Sequence, residues 1–154
     1  MTLLLANAIR RGGDFLGEPC ERGRVGLFDL ENPLSEAHKR MRRIGLSAEE
    51  HDGICYSHSP ALDIGSPAGL TSFTEAIERH EIDVAIIDSL RRAAPSLDEN
   101  DAAAVSRVLS PLRVLSAESG RTILLVHHSR KRLLAFSEKA SWPLDSRVRS
   151  RSGT

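Results

Sequence analysis

Apolar positions in this chain follow two different rhythms. Three short runs are nearly continuous: Val25-Gly26-Leu27-Phe28-Asp29-Leu30 within 24–30, Ile82-Asp83-Val84-Ala85-Ile86-Ile87, and Thr122-Ile123-Leu124-Leu125-Val126 within 121–126. Runs of this kind, rich in branched residues, read as strands buried on both faces of a parallel sheet. Ile54-Cys55-Tyr56-Ser57 is a shorter strand candidate. Between them the apolar residues recur at helical spacing. Thr2 to Arg11 reads as a helix closed by Gly12-Gly13. Asn32-Pro33 reads as a cap and first position, opening a helix with Leu34, Ala37, Met41 and Ile44 on one face, stopped by Gly45. Pro67 to His80 turns Leu70, Phe73 and Ile77 inward. Asp98 to Ser119 carries Val105, Val108, Leu109, Leu112 and Leu115 on one stripe, with a kink or restart expected at Pro111.

Strands alternating with helices across short loops predict an α/β fold with a doubly wound, mostly parallel sheet. Chemistry in such sheets gathers at the carboxyl ends of the strands. The residues there are Glu31, Asp88-Ser89 and His127-His128-Ser129. A carboxylate such as Asp88 ending a buried strand needs a partner; it is either a hydrated Mg²⁺ site beside a phosphate or a turn and capping residue. Glu31 suits a group that orients and deprotonates water for attack on a phosphoryl centre, or an acidic residue near the next helix N-terminus. His128 suits a donor to a terminal phosphate, or a plain surface histidine. No Cys or His at zinc spacing accompanies it. Asp98-Glu99-Asn100-Asp101 suits helix capping. Arg91-Arg92 precede it on a loop facing the same end of the sheet.

Composition narrows the class. The 154 residues carry 40% apolar and 27% charged side chains, which fits a folded globular chain rather than a disordered one. No apolar run reaches the length of a membrane span, and the apolar start lacks a preceding basic segment, so neither anchor nor leader is expected. Two cysteines, Cys20 and Cys55, are too few for a disulfide framework, and a cytoplasmic setting is expected. The zero net charge hides an asymmetry: residues 1–120 sum to −6 and residues 121–154 to +6. The basic end is either a nucleic-acid or acidic-partner contact or a solvated tail.

Phosphate chemistry of the kind Asp88 suggests uses a Gly-x-x-x-x-Gly-Lys-Ser/Thr loop whose amides cradle the phosphates. These residues contain no Gly-Lys dipeptide, and the place for that loop is immediately before the helix that begins at Thr2. No G-x-G-x-x-G follows any strand, which argues against a dinucleotide fold.

Several stretches are familiar together: Asp14-Phe15-Leu16-Gly17, Leu27-Phe28-Asp29-Leu30-Glu31-Asn32-Pro33, Ile86-Ile87-Asp88-Ser89-Leu90-Arg91-Arg92, Asp98-Glu99-Asn100-Asp101-Ala102 and Val126-His127-His128-Ser129-Arg130-Lys131. In this order the chain resembles the RecA-like P-loop ATPase superfamily over about residues 2–132. The nearest resemblance is to RepA-like AAA-type ATPases related to the hexameric replicative helicases of plasmids and phages. The resemblance implies a three-layer RecA-like core lacking its first strand. It places Asp88, with Ser89, at the cofactor-binding Walker B position, where Asp88 holds the Mg²⁺ of Mg-ATP through water. It implies that Glu31 polarises the attacking water and that His128 senses the γ-phosphate. ATP, DNA and a homo-oligomeric ring are the implied ligand and partners. Arg130, Lys131 and Arg149 fall in family-like motifs without a role carried onto them.

The same comparison frames residues 1–132 as a partial ATPase core and 133–154 as a basic Ser/Arg-rich tail. It implies truncation before the first helix and after Thr154. Lacking the phosphate loop, residues 1–154 are expected to bind nucleotide weakly and turn it over negligibly. Lacking an inner strand, they are expected to be marginally stable and prone to associate through an open sheet edge; cooperative melting of a soluble monomer would count against that. The competing reading is a degenerate, non-catalytic module that docks on an ATPase or holds nucleic acid by its basic end.

Overall fold

The computed structural model describes residues 1–46, 53–58 and 61–128. The chain opens with α1 (Thr2–Arg11), a two-residue hairpin of β1 (Asp14–Phe15) and β2 (Glu18–Pro19), then β3 (Val25–Asp29), α2 (Leu34–Arg43) and β4 (Ile54–Ser57). It continues through α3 (Pro67–Arg79), β5 (Val84–Asp88), the short α4 (Leu90–Ala93), α5 (Ala102–Ser119) and β6 (Thr122–Val126). Among the described residues the main sheet is parallel, in the order β4-β3-β5-β6. Every residue of β3 is buried, as its continuous apolar run requires; β6, at one edge, is half-buried over most of its length.

The pleat sends alternate side chains to opposite faces, and the two sets build two cores. Val25, Leu27, Ile54 and Ile86 meet Ala6 of α1 and Met41 of α2 on one face. Phe28, Ala85 and Ile87 meet Phe73 and Ile77 of α3 and Leu112 of α5 on the other. Phe28 and Phe73 pack edge to face with centroids 5.1 Å apart, a favourable aromatic geometry. The result is a three-layer α/β/α arrangement, as expected. Among the described residues no helix is long and apolar enough to cross a membrane.

Most elements lie where the apolar pattern puts them, and the departures have local causes. Pro33, not Asn32, takes the N-cap position of α2, which has no side-chain cap, while Asn32 turns back to donate its Nδ2 to Asp29; Leu34 stays 46% exposed instead of joining the inner face. α5 starts at Ala102, not Asp98. Asp101 caps it, its carboxylate accepting from the Ala103 and Ala104 amides at 2.8 and 3.2 Å, so the expected capping role falls to this residue. The helix runs through Pro111 without a restart; Pro111 and Arg107 both face solvent, where water can take the carbonyl that proline leaves unbonded. Arg91 and Arg92 sit on α4 rather than on a loop.

Candidate functional site

The parallel register aligns strand ends. Asp29 of β3 lies opposite Asp88 of β5, and Asp88 lies opposite Val126 of β6. Residues just past these positions therefore share one end of the sheet. Glu31, Asp88 and His128 each offer one ligand atom there, all within 4.8 Å of one another. His128 Nε2 stands 3.7 Å from both a Glu31 and an Asp88 oxygen. Ser89 is buried, and its hydroxyl donates to Glu31 Oε1 at 2.6 Å, leaving Oε2 to face the imidazole. His127 diverges from its neighbour and pairs with Glu99 at 3.5 Å. Ser129, Arg130, Lys131 and Arg149 lie outside the described residues.

Two further features complete the cluster, and neither is evident from periodicity. Thr2, the first residue of α1, donates its hydroxyl to Asp88 Oδ2 at 3.1 Å. α1 runs antiparallel to the strands, so its N-terminus and its partial positive charge lie at the same end of the sheet as the carboxylates. A Ser or Thr closing a phosphate loop was the signal available for Thr2, but without the Gly-Lys ahead of it the residue reads as ordinary helix.

The second feature is the turn that aims Glu31. Asp29 is buried, and its carboxylate accepts from the amides of Glu31 and Asn32 at 3.2 and 3.0 Å, from the Asn32 side chain, and from the Tyr56 hydroxyl at 3.0 Å. Four donor groups thus satisfy a buried charge and fold the chain back immediately after β3. The sequence pattern runs this strand on through Leu30, with Asp29 an ordinary strand position, and misses this work.

Burial, followed by the Asp29 carboxylate, drives the Tyr56 phenol far above its ordinary range. The folded state therefore holds this proton more tightly than the unfolded state. The Tyr56 contribution is intact below the ordinary phenol range near ~10 and falls away as pH rises above it. Tyr56 is the only tyrosine in the chain, so its ultraviolet titration reads this directly. We expect ionisation to coincide with alkaline unfolding, and Tyr56→Phe to flatten the decline of the urea midpoint with pH. A native-state titration at the ordinary value would contradict the Asp29 contact.

The donor set suits a small, hard cation: the two carboxylates of Glu31 and Asp88, the latter bonded to the Thr2 hydroxyl, at the mouth of a parallel sheet, with an imidazole alongside. Chemically the cluster can hold a divalent ion and place a carboxylate next to a water.

Comparison with known proteins gives three results. A family described as an AAA domain matches residues 1–132. The search of curated proteins returns no match. Among solved structures, the crystal structure of the RadB recombinase is similar at 17% identity and a TM-score of 0.49, over 86% of this chain and 58% of that one. The chain thus spans little more than half the length of that structure. The family match covers both cores and every strand end described above, and on that ground the chain belongs to the AAA-domain family.

Proposed function

We propose that this chain supplies the metal-and-water side of a Mg-ATP-hydrolysing site in a RecA-like ATPase that acts on DNA. The observation that carries the reading is the meeting of Glu31, Asp88 and His128 within 4.8 Å at the ends of neighbouring parallel strands. Asp88 and Thr2 would hold Mg²⁺, with Asp88 acting through water, as a Walker B carboxylate and a loop hydroxyl do in such sites. Held by these residues, the ion would supply positive charge against the negative charge of the nucleotide phosphates. Glu31 Oε2 accepts the proton of the water that attacks the γ-phosphate in line as the γ-phosphorus bond to the bridging oxygen breaks and ADP leaves, while Ser89 fixes the other carboxylate oxygen. His128 donates to a γ-phosphate oxygen and loses that partner when the phosphate leaves. Catalysis here is positioning and charge, which is what phosphoryl transfer asks of a protein.

The grip on the phosphates is a separate matter. Residues 1–154 contain no Gly-x-x-x-x-Gly-Lys sequence, so we place that grip outside them and expect their own turnover to sit near background. Assembly into a ring, with DNA as the polymer acted on, belongs to the same reading.

Mn²⁺ serves as the spectroscopic stand-in for Mg²⁺. Purified residues 1–154 should bind it, and Asp88→Asn should weaken binding by at least about tenfold, since a carboxylate is lost from the donor set. Unchanged Mn²⁺ affinity in both Asp88→Asn and Glu31→Gln would sink the site. Brisk Mg²⁺-dependent ATP hydrolysis by residues 1–154 alone would sink the claim about the phosphate grip.

The second reading, a non-catalytic module, is favoured by that missing motif and by the +6 balance after residue 120. It calls for salt-dependent binding to single-stranded DNA that disappears when residues 130–154 are removed.

A further inference from the structure

The opposite end of the sheet carries a feature that the ATPase reading does not use. α1 ends there, and β3 and β4 begin there. Arg10, Arg22 and Arg24 line a pocket of about 350 Å³ together with Gly23 and Gly53. Arg10 stands twelve positions before Arg22 and Arg24 two after it. They meet because α1 runs back along the sheet and its Ile9 carbonyl accepts the Gly23 amide at 3.2 Å, drawing the 22–24 segment against the helix end. The β3 strand, five residues long, keeps this pocket about 15 Å from the Glu31–Asp88–His128 cluster.

Three observations distinguish the pocket from a scatter of surface charge. Arg10, half-buried, is seated rather than loose. The Arg10 Nε donates to Asn7 at 3.0 Å, a Cβ on Gly53 would lie 3.3 Å from the Arg10 Cβ, and one on Gly12 would lie 3.2 Å from the Arg22 Cβ. Glycine at these places lets the arginine stems lie against backbone. Second, the acid beside Gly23, Asp83, turns Oδ2 to the Arg24 backbone amide at 2.7 Å rather than to a guanidinium group. Among the described residues no carboxylate forms an ion pair with any of the three guanidinium groups. Third, the chemistry is uniform. The pocket offers three planar, permanently charged forks and no lysine, and paired forks match the oxygens of a phosphoryl group better than they match a single carboxylate.

We infer that Arg10, Arg22 and Arg24 form a binding pocket for a phosphoryl anion at the amino end of the sheet. The phosphate belongs either to a nucleic-acid backbone or to a free phosphorylated molecule; both present the same oxygens to the same forks.

The test uses the full 154-residue chain and the Arg22→Ala/Arg24→Ala double variant, whose changed side chains are exposed, so the fold should survive. Retained Mn²⁺ binding at the far end of the sheet, or an unchanged melting curve, confirms it. Arginine Nε–Hε signals are followed by NMR as inorganic phosphate is added, with acetate at equal ionic strength as control, and a labelled single-stranded oligonucleotide is titrated in parallel. We expect phosphate to move the signals of all three arginines, acetate to leave them, and the double variant to lose about tenfold or more in affinity, as the removal of charge-assisted bonds implies. Oligonucleotide binding weakened by the double substitution identifies a nucleic-acid backbone. Phosphate binding weakened with oligonucleotide binding unchanged identifies a free phosphorylated ligand. Arginine signals indifferent to phosphate, equal response to acetate, or affinities untouched by the double substitution would overturn the pocket. None of these outcomes depends on ATP hydrolysis, so the proposal stands or falls apart from the ATPase reading.

Discussion

Gly69→Ala should destabilise this domain by about 3 kcal/mol or more, beyond the usual range for overpacking because the obstacle is backbone. The expectation runs against propensity, since alanine in place of glycine within a helix ordinarily gains ~1 kcal/mol. Gly69 lies in the first turn of α3, where its amide donates to the capping Ser66 hydroxyl at 3.1 Å. A Cβ there would be driven into the Asp63 carbonyl oxygen, with the Asp63 carbonyl carbon only 2.6 Å away. That backbone has nowhere to go. The Asp63 carbonyl accepts from the Ser66 amide and hydroxyl, and Ile64, buried next door, donates its amide to Ala93 at 2.7 Å. Relief requires α3 to lift, and α3 carries Phe73 and Ile77, both at the centre of one core. Against a total stability of about 5–15 kcal/mol, the loss is large enough to move the urea midpoint severalfold beyond error. A midpoint equal to or above that of the unsubstituted chain would mean that the 63–66 turn does not pack on α3 in this way.

Much of this architecture is legible in the sequence because buried parallel strands write themselves as continuous apolar runs. β3, β5 and β6 are visible for that reason, and the strand expected over Ile54–Ser57 has the bounds observed for β4. The convergence of Glu31, Asp88 and His128 was legible too, since neighbouring parallel strands bring their carboxyl ends to one place whatever the loops do. What could not be read depends on contacts between distant residues or on turns with disguised chemistry. The family-like Asp14–Gly17 stretch does mark a turn, through Leu16 and Gly17 at positive φ, but the two-residue strands β1 and β2 on either side of it have no period to show. α4 is four residues long and has no periodicity to show. The Asp29 turn needs Tyr56, which lies 27 positions away, and the arginine pocket needs α1 to fold back over the sheet.

The same geometry fixes what a phosphate loop would add. In a chimera that joins a strand and a Gly-x-x-x-x-Gly-Lys loop ahead of Thr2, Mg²⁺-dependent hydrolysis should appear, and Glu31→Gln should reduce it by about 10²–10⁴-fold, the contribution expected of a positioned base. Gln retains the size of Glu31 and can still accept the Ser89 hydroxyl that now reaches Oε1 at 2.6 Å. It loses only the capacity to take a proton. Mg-ATP binding should therefore remain close to that of the parent chimera, and the loss should fall on kcat with KM nearly unchanged. Asp88→Asn should divide the other way. Asp88 is bonded to Thr2 and stands beside His128, so removing its charge should raise the Mg²⁺ concentration needed for half-maximal binding before it touches the water. Two substitutions on adjacent strands with opposite signatures are what separate a metal-holding role from a water-activating one; a purely structural role for both would lower stability and change binding and rate together. Were the chimera folded and able to bind Mn²⁺ but inert towards ATP, with Glu31→Gln making no difference, the cluster would belong to a binding module and not to a hydrolase.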